Sequence, residues 1–230
     1  MIDIILVVIL AGVTWCVASE GFSGAIQTAI ICIISGLAAM NFFEPLAATL
    51  EGILPADYAA WADSVALIGI FAISVTILRL VVERVDPGFP DARKPMYEAG
   101  RWLGALLAGY VTMAFLLTTL HTAPLPREFL GFAPERANLL NLAAPDRQWL
   151  GFTQYVSEKS LKKWGNPNIF DGPQMQLGNS GNPYPNDVWA SFPIRYATRR
   201  ENLSSSATAI PPLRTQKAPE GQRPATPSGF

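Results

Sequence analysis

The chain has 230 residues, with 17 Lys+Arg against 18 Asp+Glu and a formal net charge of −1. That balance, with no basic stripe carrying interleaved aromatics, excludes the electrostatic footprint of a nucleic-acid-binding protein. One histidine and two cysteines leave no ligand cluster for a metal and no His-based nucleophile; with no phosphate loop or dinucleotide glycine pattern either, no enzyme activity and no cofactor are expected.

Four apolar runs fill residues 1–121. Ile4–Ser19 is free of charge over 16 residues, Gly21–Phe43 over 23 and Trp102–Leu120 over 19; Ser64–Val82, also 19, is interrupted only by Arg79. A bilayer core of roughly 30 Å takes about 20 helical residues. The runs therefore predict an all-α membrane protein with four transmembrane helices, at about 2–19, 24–43, 63–82 and 102–121. The first run follows Met-Ile-Asp, with no basic residue before Arg79. That start lacks the positive region of a cleaved signal peptide and favours a retained transmembrane hairpin. Cys16 and Cys32 lie inside the runs and read as small buried hydrophobes.

Between the second and third runs, Leu46, Leu50, Ile53 and Leu54 recur at i, i+4, i+7 and i+8. Pro45 suits a first helical turn and Pro55 ends the pattern, so an interfacial amphipathic helix is predicted at about 45–54. Tyr58 and Trp61 follow as interfacial anchors. Arg79 sits about one turn from the end of its run, where a long side chain reaches the headgroups. The basic residues Arg79, Arg84, Arg93, Lys94 and Arg101 cluster around the 83–101 loop. The positive-inside rule makes that loop cytoplasmic and puts the N-terminus and the tail after His121 outside.

In the fourth run Gly100/Gly104, Gly104/Ala108 and Ala105/Gly109 are small-xxx-small pairs that allow close helix approach, within one chain or along the seam of a homo-oligomer. No Asp, Glu, Lys or His lies near the middle of a span, which argues against an ion path through one copy.

The second half is a mildly basic extension. Residues 122–164 form an extramembrane segment with one amphipathic helix at 146–164, capped by Asp146 and striped by Trp149, Phe152 and Val156. That stripe docks on the membrane surface, on the bundle, or on an unidentified protein partner. His121 reads as an interfacial side chain. Residues 165–230 are rich in Pro, Gly and Ser, lack apolar periodicity and are expected to be mostly disordered.

The order of these features resembles the colicin V production protein family of small bacterial inner-membrane proteins. The likeness covers about residues 1–121. It is carried by the Ile2-Asp3 start, the Gly21-Phe22 turn, the surface helix, and Arg101-Trp-Leu-Gly104 with Gly109 beyond. It departs from the family pattern where Glu20 and Ser23 flank Gly21-Phe22 in place of basic residues, and where Gly100 in place of Asp precedes Arg101. The resemblance implies a multi-pass inner-membrane protein with an accessory role in production or secretion of a peptide toxin, or in envelope homeostasis. Two other roles are open to the sequence: an oligomeric small-solute channel or transporter, and a membrane scaffold recruiting a partner through its tail.

Overall fold

The computed structural model describes residues 1–85, 94–126, 129–133, 137–159, 192, 193 and 196. The described residues are helical, with no strand beyond two isolated bridges, Phe129 to Phe132 and Leu139 to Ala143. In chain order the helices are α1 (Ile2–Ala18), α2 (Gly21–Ile53), α3 (Ala56–Ala59), α4 (Ala62–Val85), α5 (Lys94–Thr122) and α6 (Pro145–Lys159). Of the expected disordered stretch 165–230 only residues 192, 193 and 196 are described, and there Phe192 and Tyr196 are buried in the core; the rest of that stretch, residues 160–164 of the expected tail helix, and Arg93 in the 83–101 loop lie outside the described residues.

Three helices, α2, α4 and α5, are long and apolar enough to cross a membrane by length and composition. That is compatible with a multi-pass membrane protein. The 17 residues of α1 span roughly 25 Å, a little less than a bilayer core. Large apolar side chains face outward on every one of these helices: Ile4, Val8 and Trp15 on α1, Ile30 and Ile34 on α2, Ile73 and Ile77 on α4, Leu103 and Leu107 on α5. In water such a belt is a liability; in lipid it is the expected outer surface.

Contacts between helix ends fix an alternating up-and-down order. Glu20 at the start of α2 meets Arg79 near the end of α4. Phe22 meets Gly100 near the start of α5, and Trp15 near the end of α1 meets Trp102. One end of the bundle, the hairpin end, therefore gathers residues 19–24, 79–85 and 94–101. The other, the tail end, gathers Met1, 54–64, Thr122, Leu130, Leu140 and the start of α6 at Asp146, from which α6 runs back along the bundle to put Trp149 on Gly36. α5 is the centre: 61% of its apolar span is buried, against 17% for α4. It packs against α1, α2 and α6, and α2 packs also against α4. Phe71 of α4 stacks on Phe115 of α5 with centroids 4.4 Å apart.

The separate interfacial helix expected at 45–54 is corrected. α2 runs through Pro45 without a break to Ile53. Proline in a helix interior removes one backbone hydrogen bond and crowds the preceding turn. Here Ala39, Met40, Phe43 and Ala47 are all buried at helical spacing on both sides of it, and that continuous packed stripe holds the helix together. The turn that ends α2 carries the extended Leu54, whose N–H still donates to Leu50 O at 2.8 Å. A single helical turn, α3, then leads to Trp61 and α4.

Candidate functional site

At the hairpin end, Gly21 adopts φ +87°, a conformation that a side chain would strain. A Cβ there would also stand 2.7 Å from the Tyr97 hydroxyl. Phe22 lies against the ring of Tyr97, centroids 6.0 Å apart, and against Gly100, where a Cβ would stand 2.0 Å from the Phe22 ring. One turn on, a Cβ at Gly104 would stand 3.0 Å from the backbone of Ala25 and Ile26. At Gly109 it would stand 2.5 Å from Thr14 Oγ1 and 3.0 Å from Leu10 O. Ala105 and Ala108 are fully buried between these contacts. The small residues at 100–109 thus let α5 approach α2 on one side and α1 on the other, inside one chain. Arg101 pairs with Glu98 at 3.4 Å and lies 5.3 Å over the ring of Trp102. Gly21, Phe22 and Arg101, far apart in sequence, are brought to the same end of the bundle. Asp3 is not; it accepts a hydrogen bond from Leu140 N–H at 2.6 Å at the tail end.

Beside this contact, α2 and α4 enclose a cleft of about 170 Å³ lined by Glu20, Gln27, Thr28, Arg79 and Glu83, with Ile31 and Val82 as apolar walls. Arg79 bridges Glu20 at 2.8 Å and Glu83 at 3.0 Å, and Thr28 Oγ1 donates to Glu20 Oε2 at 3.2 Å. Arg79 therefore ties the α1–α2 turn to the end of α4 instead of only reaching for headgroups. With two carboxylates against one guanidinium, the cleft favours water or a small cation over an anion. Among the described residues no group of three or more His, Cys, Asp or Glu could hold a metal ion.

The tail end holds a second polar group. His121, expected at the membrane interface, is fully buried, and so is Asp146, expected as a helix cap; His121 Nε2 and Asp146 Oδ2 are 2.8 Å apart. α6 begins one residue earlier than expected, at Pro145, where a proline is well tolerated. That places Asp146 inside the first turn, free to reach α5. The His121 ring packs edge-on to Phe132 and Phe192 at 4.8 and 6.4 Å. Ser64 of α4 and Thr122 of α5 share a buried hydrogen bond of 2.9 Å nearby. The Tyr110 hydroxyl donates to Gln148 on α6.

The stripe expected on α6 is rotated. Asp146, Trp149, Leu150, Thr153 and Ser157 form the buried face. Phe152 is 40% exposed and Val156 half-buried. Trp149 inserts between α2 and α5, its ring against Gly36 and edge-on to Phe115, so it is a contact within the bundle and not a free surface. The His121–Asp146 pair escaped the sequence reading. Part of the signal was there: a lone ionisable residue closing an apolar run has to find a partner, and Asp146 in the first turn of the next helix was a candidate beside Glu128 and Glu135.

No family model, no curated protein and no solved structure matches the chain.

Proposed function

We propose that this chain is a four-span inner-membrane protein with a non-catalytic, accessory role in toxin secretion or envelope homeostasis, as its resemblance to the colicin V production family implies. The observation that carries the reading is the meeting of Gly21, Phe22, Gly100 and Gly104 at one end of the bundle. Of the residues on which the resemblance rests, Gly21, Phe22 and Gly104 meet there, while Asp3 lies at the other end and residues 45–53 continue α2 in place of a surface helix. The outward apolar face of α1 supports its being the fourth span. The basic residues near the hairpin end support a cytoplasmic position for that end and an outside position for the N-terminus and tail. The bilayer is then the first partner; a second copy or another membrane protein is a further one.

Deletion of the gene in its host, with complementation, tests the role. Loss of peptide-toxin secretion or a gain in detergent sensitivity, restored by the native gene and not by Gly104→Leu, is the expected result. A normal envelope together with saturable solute flux through liposomes carrying the pure protein would replace this reading with a channel or carrier.

A further inference from the structure

Most of the buried side-chain polar atoms that lack a partner among the described residues lie on or next to the seam beneath α6. Five side-chain polar atoms in it are buried and lack a hydrogen-bond partner among the described residues: His121 Nδ1, Asp146 Oδ1, Trp149 Nε1, Thr153 Oγ1 and Ser35 Oγ. Their residues are at most 4% exposed. Asp146, Trp149 and Thr153 follow at i, i+3 and i+7 on one face of α6. Asp146 holds His121. The six-membered edge of the Trp149 ring, which begins at the carbon bearing Nε1, lies on Gly36, the residue after Ser35. Ser35 is roughly 21 Å along α2 from its start, well inside the apolar span.

Buried polar groups are almost always satisfied, and in a bilayer no outside water can do it. By type the five atoms could satisfy one another, since an indole N–H only donates, a carboxylate only accepts and the hydroxyls do both, but none of them has a partner within hydrogen-bond distance among the described residues. A molecule that accepts from one neighbour and donates to another completes the set. We propose that the α6 seam is a buried hydration site, with ordered water joining Trp149 Nε1, Asp146 Oδ1 and the hydroxyls of Ser35 and Thr153. A buried water needs two to four polar partners, and the seam supplies them. The His121–Asp146 pair then stands at the edge of a small aqueous compartment instead of in dry protein. This inference does not depend on the proposed cellular role.

Radiolytic hydroxyl-radical footprinting of the full chain in lipid nanodiscs tests it, because radicals formed from bound water oxidise the side chains next to it. With rates normalised for residue reactivity, Trp149 is expected to oxidise on the order of tenfold faster than the equally buried Phe43, as a hydrated site against a close-packed one. Oxidation of Trp149 no faster than that of Phe43 would overturn the proposal. In a Ser35→Ala, Thr153→Val variant, which removes two of the water's partners, Trp149 labelling should fall most of the way to the Phe43 level. Labelling unchanged in that variant would also overturn it, since the radicals would then be arriving by lifting of α6.

Discussion

Whether a glycine in this bundle is replaceable depends on what its missing methyl would meet. At Gly104 it would meet the backbone of Ala25 and Ile26 at 3.0 Å, atoms that move only if a whole helix moves. Gly104→Ala is expected to destabilise the protein by about 1–3 kcal/mol, the usual cost of overpacking. Gly12 and Gly69 have nothing within 4 Å, so alanine there should add about 0.5–1 kcal/mol through helix propensity. Thermal unfolding of the three variants in one detergent checks the opposite signs. Shifts of the same sign in all three would mean that the close approach of α5 to α2 is not what Gly104 provides. The two polar pairs differ in the same residue-by-residue way. Arg79 is 44% exposed along its side chain, and exposed ion pairs contribute little, so Arg79→Gln should change stability by about 1 kcal/mol or less. His121→Ala instead leaves a buried carboxyl without its partner and should cost about 3–5 kcal/mol. A double-mutant cycle with Asp146→Ala isolates the coupling; similar losses at Arg79 and His121 would show that burial is not the deciding factor.

At the scale of elements, Trp149 is the largest side chain that α6 inserts into the bundle, beside Leu150 and the Asp146–His121 pair. Trp149 fills the space left open at Gly36 and touches Phe115. Trp149→Ala should cost about 3–5 kcal/mol and release α6 while α1, α2, α4 and α5 stay packed. Limited proteolysis reads this directly: cleavage between residues 122 and 145 should accelerate, with the fragment carrying α1–α5 surviving. A bundle that falls apart as a whole would show α6 to be part of the core and not a docked element. That α6 exists was legible from its apolar spacing, but the face it buries was not. Apolar periodicity picks Trp149, Phe152 and Val156. The bundle buries Asp146, Thr153 and Ser157 instead of Phe152; Asp146 meets His121 on α5 and Ser157 donates to Gln154 O within α6, and no count of apolar positions registers that. Pro45 misled for a related reason. Its local signal favours a helix start, whereas Phe43 and Ala47 pack across it, and tertiary packing overrides local preference. The glycine contacts were the opposite case. Spacing alone marked Gly100, Gly104 and Gly109 as sites of close approach, and could not say whether the neighbour was in the same chain.

For the whole molecule, the apolar runs marked the long helices well, because in lipid the requirement for about 20 apolar residues is nearly independent of the rest of the fold. The arrangement of the ends is what the structure adds. Glu20, Arg79, Tyr97 and Glu98 gather at one end. Ile2, Asp3, Ser64, His121 and Leu140 gather at the other, through the bonds Ile2 N–H to Leu130 O at 2.9 Å and Leu140 N–H to Asp3 Oδ1. If the belt of outward Ile, Val and Leu side chains is in hydrocarbon, the two ends face opposite compartments. Cysteines introduced one at a time at Glu98, 54% exposed along its side chain, and at Leu142, 86% exposed, report on this, with exposed Cys16 first replaced by serine and Cys32 left buried. In sealed inside-out vesicles an impermeant maleimide should label Glu98→Cys and spare Leu142→Cys, and in intact spheroplasts the pattern should reverse, because the basic residues around the hairpin end favour the cytoplasm. The reverse pattern in both preparations would invert the orientation and leave the bundle intact. Labelling of both positions from one side would mean that the two ends are not separated by a membrane, and the up-and-down bundle would then need another explanation for its apolar surface.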